Sequence, residues 1–531
     1  MKKNVGVWLS LFWVLSISPT FTACEAVFDL NELPGKSQFV SLPYESLDEL
    51  DLAVNGLYRQ MHEIFRWNRG LAHAWSADDL TNGGCGCKAT FREYDRREVH
   101  PENSSILLNW RGAYKAIRSA NNVLRNAAES HLRNDSEKNR LMGEAYFIRA
   151  QLYHYLTRKH GRVPLVLDLE INREIELADQ LEVYQQIEKD LLAAEALLPA
   201  SSELGAIRPN TGSARAFLAR LYLDWAGFPL KDNAKYAEAA VSAKQVIDNA
   251  HTHGFALVKN MASLYSLAGR RNPESVFALS YCEACAFGNR KYGKLGMPGD
   301  FGGWQESFAE IRFFEDFPEG HRKEATFHTE VPLDSNGKVS TDIANAVSFV
   351  PWTSFRGDQN PLYRKLVGPF EEGSFDKFNI SRPDYVMRYA EVLLIYAEAS
   401  ARSGSVPPDA WEALNRVRRR AEGLNPSVAN PDIDLNSGDL AELAYTERKW
   451  ELAGEFLRWF DLTRMERVEE ALGGSARDPR VSIGTRFNED GTTTPIPISQ
   501  PSIRIVGSLG TDNYFEPIPP SELEQLRNLG G

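Results

Sequence analysis

Beyond its first two dozen residues the sequence has no apolar run long enough to cross a bilayer, no excess of basic residues, and only five cysteines in all. Each shortage narrows the field. A helix needs about 20 consecutive apolar residues to cross hydrocarbon, so no transmembrane helix is expected after residue 24. The 60 Lys and Arg are outnumbered by 72 Asp and Glu, a formal charge of −12. With no basic stripe to offset it, no nucleic acid held by phosphate neutralisation is expected as a partner. Also missing are a nucleophile elbow, a phosphate-cradling glycine loop and a zinc-protease helix motif, so no catalytic residue, metal or cofactor is assigned. His251 and His253 lack a nearby third ligand and read as exposed turn residues rather than as a metal pair.

What remains is a chain of 531 residues with 43% hydrophobic content, enough for one large helical body with inserted loops. Its 11 Trp, 19 Tyr and 27 Phe are more rings than a helical core requires, and some are expected to face a ligand. Lys2 and Lys3, the apolar run from Val5 to Ile17, and the small residues Thr22 and Ala23 read as an export leader over residues 1–23. Phe21-Thr22-Ala23-Cys24 resembles the bacterial lipobox, with Phe where Leu is usual, which implies cleavage before Cys24 and lipidation of that residue. Several acyl chains, at about 0.8 kcal/mol per buried methylene, would then hold the mature chain at a membrane, facing away from the cytoplasm. Cys85, Cys87, Cys282 and Cys285 form a C-x-C and a C-x-x-C pair; export favours disulfides over a four-thiolate zinc site, and a bridge between the two pairs would brace the chain most.

Helical periodicity dominates from Ser46 to Ala226 and again from Tyr385 to Leu472. Leu141, Ala145, Ile148, Leu152 and Tyr155 alternate by steps of four and three and so share one helix face, which the chain breaks at Gly161 and Pro164. Val386, Ala390, Leu393, Ala397 and Ala401 repeat the pattern with small residues suited to close packing. Three helix pairs are predicted: Ile106–Ala128 with Glu137–Arg158, Leu181–Leu198 with Ser213–Ala226, and Tyr385–Ser403 with Asp409–Ala421. Such pairs suggest tetratricopeptide-like units stacked into a scaffold. The fold class expected is therefore mainly α, with a loop-rich, ligand-facing region containing short strands such as Val276–Tyr281 within residues 254–383. Residues 24–230 are expected to form an N-terminal helical region and 231–531 a C-terminal one, in one body. In the block from Glu447, Arg448–Glu451, Glu455–Arg458 and Arg458–Asp461 are three apart and read as a fold-holding ion network, not as a catalytic carboxylate pair.

The segments "GEAYFIRAQLYHYLTRKHGRVPLV" from Gly143, "RPDYVMRYAEVLLIYAEASARSG" from Arg382, "ALNRVRRRAEG" from Ala413 and "ERKWELAGEFLRWFDLTR" from Glu447, with the closing "FEPIPPSELEQLRNLGG" from Phe515, resemble in order the blocks of the SusD/RagB family of outer-membrane nutrient-binding lipoproteins. The resemblance implies a lipid-anchored protein of the outer membrane that faces the cell exterior. It further implies a partner, a SusC-like TonB-dependent transporter, to which an oligosaccharide, or alternatively a peptide, is passed. A surface glycoside hydrolase is the remote alternative.

Sugar rings present apolar faces that stack on Trp and Tyr, and hydroxyls that pair with Asp, Asn and Arg. By position within the family, the ligand is expected at two segments: Trp75, Asp78, Asp79 and Asn82, ahead of the C-x-C pair, and Tyr292, Asp300, Phe301 and Trp304, after the C-x-x-C pair. Trp352 and Phe355 are further candidates. Trp110 is left out, as a packing residue.

Overall fold

Helix boundaries follow their caps. In the computed structural model, which describes residues 42–84, 86–169, 176–203, 205–481, 485–487, 492–495, 501 and 503–529, α1 (Leu47–Phe65) starts where the Ser46 hydroxyl accepts the Glu49 amide N–H. After the short α2 (Ala89–Asp95) come α3 (Ser104–Glu129) and α4 (Asp135–His160). Asn134 caps α4 from the left-handed region at φ 75°, and Gly161, at φ 70°, ends it. A Cβ at Gly161 would press on the Phe515 ring at 3.2 Å as well as strain the turn. The series continues with α5 (Gln180–Leu197), α6 (Thr211–Trp225) and α7 (Lys235–Asp248). The helices Tyr389–Arg402, Pro408–Ala421 and Leu440–Glu451 complete the body. Residues from Pro43 onward form one unit.

The fold is mainly α, and all three predicted helix pairs are present and in contact, α3 with α4, α5 with α6, and Tyr389–Arg402 with Pro408–Ala421. The predicted α4 face is buried, but so are Phe147, Arg149, Tyr153 and His154 elsewhere around the helix. Neighbours on several sides, α1, α3 and α5 among them, turn an amphipathic expectation into a central helix. One boundary is corrected. Tyr385 and Val386 lie not in a helix but in the strand Asp384–Arg388, which pairs antiparallel with Ser275–Leu279. The Tyr389 amide then donates to the Glu274 carbonyl at 2.7 Å. Local helical spacing continued across this point, but the backbone groups found partners in the other strand.

That two-stranded ribbon fastens both ends of the loop-rich segment to the helices. Inside it, Asn289 and Ile380 exchange backbone hydrogen bonds of 2.8 and 3.0 Å. Beside it sits a buried charge lattice. Arg420 donates to Glu274 at 2.7 Å and to Glu451 at 2.6 Å, and Arg388 donates to Glu451 at 2.9 Å and also to Glu274. Burial alone would raise the Glu451 pKa; Arg420, Arg388 and Arg322 outweigh it and hold it at about 2. The network foreseen in the Glu447 block therefore exists, with other partners. The helix ends at Glu451 and the chain turns through Phe456 at φ 65°. Glu455 lies in the turn, so its three-residue spacing to Arg458 is not helical. Arg448 and Glu451 share one helix, and Arg458 and Asp461 share the helix Arg458–Arg464, but Arg458 pairs instead with Asp78, and Arg448 with Asp461 across the turn.

Candidate functional site

A cleft of ≈660 Å³ opens where the end of α1 and the turn after it meet α3, the start of α2 and the loop around residue 304. Trp67 and Trp304 bring two indoles to it from distant parts of the chain. Trp304 is 48% exposed. Its place is set by the glycine-rich sequence before it. Gly302 adopts φ 73°, and a Cβ at Gly303 would lie 1.9 Å from the Met297 carbonyl oxygen, so the turn accepts no side chain there. The Trp304 amide donates to the Lys294 carbonyl at 2.9 Å, and the Phe378 ring meets the indole edge-on at 4.7 Å. The half-buried Trp67 indole carries the Arg290 guanidinium 4.9 Å from its centroid.

Between the rings lie polar groups. Asn68 donates to Glu306 at 3.2 Å and to Ser307 at 3.1 Å, while its own carbonyl oxygen is buried without a partner. The Lys88 ammonium lies 3.7 Å from Glu306 and 5.3 Å from the Trp304 ring centroid. Burial raises the Glu306 pKa, against the pull of Lys88 and Asn68, and burial lowers that of Lys88, against the pull of Glu306. Arg69 and Lys115 are exposed at the cleft, and Asn109 is turned to the Arg69 carbonyl at 2.7 Å. Apolar ring surface with scattered donors and acceptors suits a polyhydroxylated ligand.

The residues named from sequence divide sharply. Trp304 lines the cleft. Trp75 does not: it is fully buried against Phe91 at 4.7 Å, and its indole N–H donates to the Glu306 carbonyl at 3.0 Å, which steadies the cleft from beneath. Asp78 is locked to Arg458 through contacts of 2.8 and 3.2 Å. Burial opposes its charge, yet Arg458 and Lys449 hold its pKa at about 2. Asp79 accepts the Gly454 amide N–H at 3.0 Å, and burial, then the neighbouring Asp78 charge, push its pKa up to about 7. Asn82 is buried and donates to Asp95 at 3.2 Å. Direct ligand contact by these four is corrected to support of the core.

Tyr292, Trp352 and Phe355 are buried too, the first under the Arg382 guanidinium, 4.5 Å from its ring centroid. Asp300 is exposed but accepts the Arg356 amide N–H, and Phe301 packs edge-on against Phe355 at 5.4 Å; neither lines the cleft. Trp110, set aside as packing, is 3% exposed. Cys282 and Cys285 are bridged to each other, so this pair does not cross to the other segment; Cys87 is disulfide-bonded as well, and Cys85 and Cys24 lie outside the described residues. Among the described residues no helix is long and apolar enough to cross a membrane. Sequence reasoning missed Trp67, Asn68, Arg69 and Lys88. The signal available was Trp67-Asn68-Arg69-Gly70, a ring and two hydrogen-bonding side chains ahead of a glycine at the end of an amphipathic helix.

Comparison with known proteins follows the same lines. A family model described as "SusD family" matches residues 344–530, and one described as "Starch-binding associating with outer membrane" matches residues 76–223. The chain is 27% identical over 467 residues to SusD-like protein P2 of Formosa agariphila, covering 82% of this chain and 87% of that one. A SusD superfamily protein from Parabacteroides distasonis shares the fold at a TM-score of 0.70 and 22% identity, over 91% of this chain and 98% of the other. A laminarin-binding SusD-like protein does so at 0.65 and 23%, over 91% and 98%.

Proposed function

The chain belongs to the SusD family, and from that premise we propose that it captures a glycan at the outer face of a bacterial outer membrane and passes it to a SusC-like TonB-dependent transporter. The observation that carries the reading is the pairing of Trp67 and Trp304 along one cleft with Asn68, Arg69, Lys88, Asn109 and Glu306 among them. Capture is reversible stacking and hydrogen bonding, and no bond is made or broken. A Kd between micromolar and millimolar, roughly −8 to −4 kcal/mol, suits a protein that must release its cargo. Anchoring through lipidated Cys24, after removal of residues 1–23, keeps the cleft outside the cell.

The relatives support a glycan rather than a peptide, since one of them is named for laminarin binding. A cationic peptide would need acidic partners, for which the sequence candidates are Asp78, Asp79 and Asp300. Two of these are buried and the third is away from the cleft.

Isothermal titration against a panel of neutral and acidic polysaccharides identifies the ligand, and Trp304→Ala and Trp67→Ala test the site. Each is expected to weaken binding at least tenfold, about 1.4 kcal/mol, without lowering the melting temperature. Unchanged affinity in both variants for a ligand that the wild type binds would overturn the assignment.

A further inference from the structure

A second pocket, of ≈240 Å³, lies among Arg312, Lys449, Arg458, Arg467 and Arg477 and shares no lining residue with the Trp67–Trp304 cleft. Three carboxylates, Asp78, Asp316 and Glu470, also line it; Arg312 is paired with Asp316 at 2.9 Å, and Arg467 with Glu442 at 2.6 Å and with Glu470 at 3.7 Å. The acids do not exhaust the donors. Asp78 is taken by Arg458 at 2.8 Å. Lys449 is left 3.6 Å from the same carboxylate, with no hydrogen bond among the described residues, its ammonium resting 4.3 Å from the Trp450 ring centroid. Arg477, its side chain 4% exposed, spends its terminal nitrogens on Asp95 and Glu310, and its Nε–H is buried without a partner. A buried guanidinium N–H without a partner costs about 1–3 kcal/mol or more.

We infer that this pocket is a second binding site, for a compact oxyanion, a carboxylate or sulfate group, received by Lys449 and Arg467 at the rim and by Arg477 at depth. Charge-assisted hydrogen bonds to an oxyanion are about twice as strong as neutral ones, and Lys449 approaches as a mobile point charge while the guanidinium groups give direction. The anion arrives either free or as the acid group of a sugar.

The test is calorimetric titration of the full chain with sodium sulfate, exchanged against sodium chloride at constant ionic strength, and in parallel with glucuronate and with glucose. Saturable heat from sulfate is expected, with at least tenfold weaker binding in Lys449→Gln and in Arg467→Gln. Both variants are expected to retain the wild-type affinity for whatever glycan binds at Trp304, so failure here and failure of the cleft assignment are distinguishable. Saturable glucuronate binding with none from glucose identifies a sugar acid as the source; sulfate alone identifies a free ion. General salting-out stabilisation by sulfate acts on all variants alike, so only the difference between them reads the pocket. No saturable heat from either anion, or the same affinity in both variants, would overturn the site. The two substitutions lie on different segments, so early melting of one leaves the other to decide.

Discussion

Asp79→Asn separates a ligand contact from a support of the core. The Asp79 carboxyl titrates near pH 7 against an ordinary value of 3.8, mainly through burial and secondly through the charge of Asp78. Below about pH 4 the group is protonated in folded and unfolded chains alike and has no pH-dependent effect. Between pH 4 and 7 the unfolded chain releases the proton and the folded chain keeps it, so stability falls as pH rises. The gap, at 1.36 kcal/mol per unit, corresponds to roughly 4 kcal/mol above pH 7.

Asn does not ionise and removes this loss. It still offers an oxygen to the Gly454 amide, but its NH2 brings two donors where the protonated carboxyl has one O–H on an oxygen without a partner, an added cost below pH 7 of about 1–3 kcal/mol. Urea midpoints for wild type and variant from pH 4 to 8 read the difference, in which other titrating groups cancel. The variant is expected to be the less stable at pH 4, to gain steadily, and to match or exceed the wild type at pH 8, with glycan affinity unchanged throughout. A flat difference across that range, or lost glycan binding at unchanged stability, would refute the reasoning.

Trp75→Ala is expected to cost about 3–5 kcal/mol of stability, read by denaturant midpoint, because it empties a fully buried site, whereas Trp304→Ala should leave the midpoint in place. Glu451→Gln leaves Arg388 and Arg420 short of a buried counter-charge, and a loss of about 3–5 kcal/mol is expected by the same measurement. Cys24→Ala should move the protein from the membrane to the soluble fraction of fractionated cells. Prolonged incubation with a bound polysaccharide should release no reducing ends; their steady appearance would replace capture with hydrolysis.

Class, helix pairing and family were legible along the chain because they rest on local periodicity, caps and ordered blocks: the α4 face, Gly161 and the segment from Arg382 all declare themselves within a few turns. The candidate site was legible only in part. Trp304, singled out because a glycine-rich loop carrying a Trp is a local signal, lines the cleft. Trp75, Asp78, Asp79 and Asn82 looked equally suitable, as polar and aromatic residues beside a loop.

Burial is a property of what packs against a residue from elsewhere in the chain. Asp78 became structural when Arg458 arrived, Asp79 when Gly454 did, and Tyr385 joined a strand when Ser275–Leu279 offered its backbone. Sequence by itself determined the three helix pairs, apart from the Tyr385 boundary, and which kind of protein this is, since neighbours in the chain determine helix periodicity and family blocks are linear. Only the tertiary structure decided which rings meet the solvent, because Trp67 and Trp304 are brought to one cleft by contacts between segments that no local pattern relates.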